Sequence, residues 1–125
     1  MNEIDTYISN FLKEVEFRKT VDYSDKKSVK QYNMAYERAA DYVKNIDRYY
    51  PEYIPALINL LQHTDVQVVA SIAPMILQMA NSTYTQKQMA LEAVNRLVAD
   101  PRLNEVDRFG FQMNLERWKD MYKEI

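Results

Sequence analysis

One stretch constrains this chain more than any other. Pro51 to Ala80, PEYIPALINLLQHTDVQVVASIAPMILQMA, contains no Lys or Arg. It reads as two apolar helices joined by the polar turn His63-Thr64-Asp65. In the first, about Glu52 to Gln62, Ile54, Leu57, Ile58 and Leu61 recur at i, i+3, i+4 and i+7, the spacing of one helical face. Pro55 falls in its first turn, where a missing N–H costs little. The second, about Asp65 to Met79, is apolar nearly all round through Val66, Val68, Val69, Ala70, Ile72, Ala73, Met75, Ile76, Leu77 and Met79. A helix with no polar face has to be covered on several sides. Thr64 or Asp65 can cap its start. Pro74 lies inside it and predicts a kink near Ala70 to Ala73 rather than a break.

The remaining segments supply the cover. A helix from Glu3 to Lys19 places Ile4, Tyr7, Ile8, Phe11, Leu12 and Val15 on one stripe. After a linker, with Ser24 or Asp25 as cap, a helix from Lys26 to Asp47 turns Val29, Tyr32, Tyr36, Ala39, Ala40, Val43 and Ile46 inward. These two should pair as a hairpin. Thr83 or Thr85 caps a fifth helix, Tyr84 to Ala99, with Met89, Ala90, Ala93, Val94 and Leu97 inward. Asp100-Pro101 ends it, because the residue before proline avoids the helical region. The sixth, Asn104 to Lys123, is read with Val106, Phe109, Gly110, Met113, Trp118 and Tyr122 on its inner side, Gly110 marking a close helix crossing. Six helices in three consecutive hairpins describe an all-α fold, a short α-α superhelix forming a single domain over residues 1–125.

Composition narrows the function classes. With one His and no Cys, a thiol nucleophile and a cysteine-zinc site are excluded, and a catalytic triad is hard to build. Glu116 and Asp120 are spaced i, i+4, but no Glu-x-x-His motif accompanies them, so no metal ligand set and no cofactor is expected. His63 lacks a nucleophile or a second base and reads as structural. Residues 1–50 carry nine acids and nine bases, 51–100 four and two, and 101–125 five of each. Without a basic stripe, nucleic-acid binding driven by counterion release is not expected. No apolar run approaches the ~20 residues of a membrane span. The acidic start MNEIDTYISNFLKEVEF is unlike a signal peptide, which points to a cytoplasmic protein.

Ten tyrosines are the compositional oddity, and eight of them lie within the first 53 residues. Tyr7, Tyr32 and Tyr36 fall on inward stripes. The corner Tyr49-Tyr50-Pro51-Glu52-Tyr53 does not. Tyrosine gives a binding surface large contact area with a polar tip. Together with neighbouring acids, the candidate partner-binding residues are Asp22, Tyr23, Asp47, Tyr49, Tyr50, Glu52 and Tyr53. Such a surface suits a basic protein partner.

The run ALINLLQHTDVQVVASIA resembles the turn of a HEAT repeat: Leu57, Leu60 and Leu61 match its leucine-rich first helix, Asp65 its turn, and Val68 its valine. Val69 stands where the repeat usually has Arg. Gly110, Phe111 and Trp118 of GFQMNLERW are similar to the ending of a small bacterial family of HEAT-like domains. The resemblance covers about the C-terminal half and implies a HEAT-like superhelix. It further implies a non-enzymatic immunity-type protein that binds and occludes a cognate toxin. The alternative is a structural or adaptor subunit of a larger assembly, monomeric or homodimeric, docking through a helical surface around Phe109, Phe111 and Trp118.

Overall fold

The computed structural model describes residues 3–123, and within them the chain is all-helical with no strand. Its contacts cluster into two compact units that meet in sequence between Tyr53 and Ile54.

The first unit is a helical hairpin. Helix α1 (Glu3–Arg18) packs along α2 (Lys26–Tyr49), and a 3-10 turn (Pro51–Tyr53) follows. Ile4, Phe11 and Val15 of α1 and Ala35, Ala39, Val43 and Ile46 of α2 are buried, each set at helical spacing. The connection is shaped by short polar side chains. The Thr20 hydroxyl donates to the Phe17 carbonyl at 2.7 Å. The Asp22 carboxylate accepts from both the backbone N–H and the hydroxyl of Ser24, at 3.0 and 2.7 Å. Asp25 then caps α2 by accepting from the Lys27 N–H at 3.0 Å, satisfying a donor that the helix start leaves open. Arg38 of α2 grips Glu14 of α1 through Nε and Nη2, both at 2.9 Å.

The second unit runs through α3 (Ile54–Ile58), a 3-10 segment (Asn59–Gln62), α4 (Val66–Gln78), α5 (Tyr84–Val98) and α6 (Glu105–Met121). Successive members pack on one another: α4 on the 59–62 segment and on α5, and α5 on α6. Glu52 to Gln62 is thus not one α-helix, as the periodicity suggests. A 3-10 turn at Pro51–Tyr53 opens the segment and a second one at Asn59–Gln62 closes it, either side of the short α3. The inward set Ile54, Leu57, Ile58 and Leu61 is nonetheless buried.

Helix α4 is the centre of this unit. Ten of its thirteen residues are buried, and it continues unbroken through Pro74. Both of its ends are closed by side chains. Asp65 accepts from the Gln67 N–H at 2.9 Å, while His63 Nδ1 accepts from the Asp65 N–H at 3.0 Å. At the far end the Ser82 hydroxyl donates to the Ile76 carbonyl at 2.8 Å and Lys87 Nζ donates to the Met79 carbonyl at 2.7 Å. Helix α5 opens with a capping box: Thr83 Oγ1 accepts from the Gln86 N–H, and Gln86 Oε1 accepts from the Thr83 N–H. Its end is tied by Arg108, which donates to the carbonyls of Val98, Asp100 and Leu103 at 2.7 to 2.9 Å. Arg102 chelates the Asp100 carboxylate and reaches the Thr64 carbonyl at 3.4 Å, linking the turn before α6 to the turn before α4.

Two expectations from periodicity are corrected here. In α6, Val106, Phe109 and Met113 are 57%, 64% and 67% exposed, while Phe111 and Leu115 are buried. The inward stripe is Phe111, Leu115, Trp118 and Tyr122, at i, i+4, i+7 and i+11. The helix carries apolar residues on two sides, and spacing alone does not say which side has a neighbour. A Cβ built on Gly110 would meet nothing within 4 Å, so no helix crosses closely there. Met89 of α5 is likewise exposed, and Leu91, two positions on and so nearly opposite on the helix, is buried.

Candidate functional site

The α1–α2 hairpin gathers its tyrosines into two clusters, one at each end. At the connection, the Arg18 guanidinium lies over the Tyr32 ring at 4.0 Å and the Tyr36 ring at 4.8 Å. Tyr23 meets Tyr32 edge-on at 5.9 Å. Burial pushes the Tyr36 phenol up from its ordinary pKa, partly offset by the Arg18 charge. Cation–π packing of this kind uses the ring faces internally, leaving less of them for a partner.

At the other end, Tyr7 packs against Tyr42 at 6.2 Å and against Tyr50 at 6.1 Å. The Tyr50 hydroxyl donates to the Glu3 carboxylate, joining the start of α1 to the end of α2. That hydrogen bond, reinforced by desolvation and by the negative charges of Glu3 and Glu52, pushes the Tyr50 phenol up to about 12. Two carboxylates therefore act on one phenol, and the corner is acidic.

The structure separates the seven residues picked out by the sequence. Asp22 and Tyr23 precede α2, whereas Asp47, Tyr49, Tyr50, Glu52 and Tyr53 lie at its end. Most of α2, 24 residues and about 36 Å from end to end, lies between the two groups. One flat interface patch is not built from both groups. Asp22 is also occupied: its two bonds from Ser24, the hydroxyl first and the N–H second, hold its carboxyl below the usual carboxylate range. Tyr50 is half-buried and committed to Glu3, so it braces the corner instead of projecting from it. Asp47 is half-buried.

What remains accessible is compact in sequence. Tyr49 is 61% and Tyr53 41% exposed, and Glu52 between them is exposed as well. Arg48 stacks on the Tyr49 ring at 5.3 Å, steadying it from one side. The 3-10 turn Pro51–Tyr53, closed by the Tyr53 N–H donating to the Tyr50 carbonyl at 2.9 Å, fixes the backbone that carries them. Sequence reading missed Glu3, which lies 47 positions from Tyr50. Only the antiparallel hairpin brings it there.

Among the described residues no three His, Cys, Asp or Glu side chains cluster so as to hold a metal ion, and no helix is long and apolar enough to cross a membrane. No known protein family, curated protein or solved structure matches this chain.

Proposed function

We propose that this chain is a non-enzymatic protein-binding module, acting in the cytoplasm as an immunity-type protein that binds a basic toxin domain and blocks its active site. The observation that carries the reading is the corner at the end of α2. Six of the eight tyrosines in the first unit are engaged in ring, cation or carboxylate contacts between separate parts of the hairpin, while Tyr49, beside the adjacent Arg48, and Tyr53 project beside Glu52. Exposed aromatic anchors on a braced backbone lose little conformational entropy when they are buried by a partner. The carboxylates of Glu3 and Glu52 favour a partner whose binding cleft is cationic, and would speed its approach at low salt. The resemblance to HEAT-like immunity domains points the same way. Blocking would be steric: the helical corner fills the cleft and no bond is made or broken.

The test is affinity capture from the native host with the wild-type chain and with the Tyr49→Ala/Tyr53→Ala double variant. Both residues are exposed, so the variant should unfold at the same temperature as the wild type. The reading expects a basic protein retained stoichiometrically by the wild type and lost by the double variant. Equal retention by both would reject the corner as the binding surface.

A further inference from the structure

The corner at the end of α2 also carries a preference among basic side chains, given the binding role proposed for it. The first unit holds six lysines and three arginines. Among the described residues, every contact of a cation with a ring in that unit is nonetheless made by arginine. Arg18 lies over Tyr32 and Tyr36 at 4.0 and 4.8 Å, and Arg48 over Tyr49 at 5.3 Å. A guanidinium is planar and weakly hydrated, so it stacks on a phenol ring where a lysine ammonium keeps its water. The corner leaves this chemistry unfinished. Arg48 lies to one side of the Tyr49 ring, which stays 61% exposed. Tyr53 is 41% exposed. Neither its ring nor the Glu52 carboxylate has a hydrogen-bond, ion-pair or ring partner among the described residues.

The charge at the corner favours a cation. Asp47, Glu52 and, from across the hairpin, Glu3 stand against one base, Arg48. Lys44 is five positions before Tyr49 and so lies on a different side of α2. Arg48 makes no ion pair with Glu52 four positions on, so that carboxylate is open to an outside donor. Glu3 and Glu52 both push the Tyr50 phenol up, which places their charges together. The carbonyl end of a 24-residue helix adds partial negative charge at the same place. We infer that the corner takes an arginine side chain of the partner, stacked on the exposed rings of Tyr49 and Tyr53 with its N–H fork on the Glu52 carboxylate. Two parallel N–H donors on one carboxylate hold the guanidinium plane in a fixed direction. A lysine offers a compact charge with no face to stack and no fork, so the corner discriminates between the two.

Nuclear magnetic resonance of the isotope-labelled full chain tests it with three blocked tripeptides, Gly-Arg-Gly, Gly-Lys-Gly and Gly-citrulline-Gly. The arginine peptide should shift the Tyr49, Glu52 and Tyr53 signals at millimolar concentration. The lysine peptide should need about fivefold more, and citrulline, the neutral isostere of arginine, should shift nothing. Glu52→Gln and Tyr53→Ala, both at exposed positions, should each weaken the arginine response by about threefold or more with the unfolding temperature unchanged. Equal responses to the arginine and lysine peptides overturn the inference, as does a response that survives both substitutions. Affinity capture separates this inference from the binding role on which it rests. A basic partner lost by the Tyr49→Ala/Tyr53→Ala variant, with no shift from the arginine peptide, overturns the arginine site and leaves the recognition surface standing. The expected peptide shifts with no partner captured support the arginine site and count against the toxin reading.

Discussion

The two units bury their apolar residues by different means. The first consists of two long helices, each with one buried stripe, and its margins are filled with tyrosines held by a cation at one end and a carboxylate at the other. The second is arranged around α4, a helix with almost no polar face. In the hairpin, the enclosed side chains Phe11, Ala35, Ala39 and Ile46 are strung along the seam between two helices. In the second unit, Ile72, Ala73 and Ile76 are fully enclosed and have nowhere to relax. The same helical structure is thus stabilised along a line in one unit and around a centre in the other, and at the end of the line Tyr49 and Tyr53 stay exposed.

Truncating the centre should show the largest effect. Ile76→Ala, at a fully buried position, should reduce stability by about 3–4 kcal/mol in denaturant unfolding. Phe109→Ala on the outward side of α6 should change it by no more than about 0.5 kcal/mol under conditions that keep the chain monomeric. Comparable losses would mean that α6 is oriented differently. Next comes the Arg108 clamp. Arg108→Ala removes a side-chain donor from the carbonyls of Val98, Asp100 and Leu103, of which Asp100 keeps the Leu103 N–H, and should cost about 2 kcal/mol. Hydrogen exchange should report the loss at the Val98 to Leu103 turn first. Thr83→Ala, which opens the capping box of α5, should cost about 1 kcal/mol in the same assay.

The smallest effects separate the units by pH. Tyr50 of the first unit has its phenol raised from 10.0 to about 12, so its contribution is complete below about pH 10 and is lost as pH rises through about 12. Asp100 of the second unit is lowered from 3.8 to about 2, chiefly by its hydrogen bonds from Arg102. Its contribution is complete above about pH 4 and is lost as pH falls through about 2. A pH series of urea unfolding should therefore show Tyr50→Phe flattening only the alkaline limb and Asp100→Asn only the acid limb. Crossed effects would contradict the assignment of each group to its own unit.

Much of this architecture can be read in the residues. The apolar run of α4 announces a buried helix, and Asp25, Asp65 and Thr83 sit where caps are needed and act as caps. The α1–α2 hairpin follows from two amphipathic stripes and a polar connection. The phase of helix α6 is not legible, because Val106, Phe109 and Met113 have the same spacing as a core stripe and periodicity records a face without saying what faces it. At the candidate site, the exposed tyrosines adjoining Pro51 were legible from their break in the helical pattern. The division of labour among them was not. Tyr50 and Tyr49 are adjacent in sequence, yet one is bound to Glu3 and the other is free of the fold's aromatic cluster. That difference depends on a contact spanning most of the first unit, which local sequence does not encode. Arg108 has no local signature for the same reason, since its role exists only once the turn after α5 has closed.

The most direct test of the central claim, that the corner at the end of α2 is a recognition surface, is the captured partner's affinity for wild type and Tyr49→Ala/Tyr53→Ala, measured by titration calorimetry with unfolding temperatures alongside. The account predicts a basic partner, unchanged unfolding temperature and at least about a hundredfold loss of affinity, as expected when two aromatic anchors are removed. A partner that binds both chains with equal affinity would contradict it.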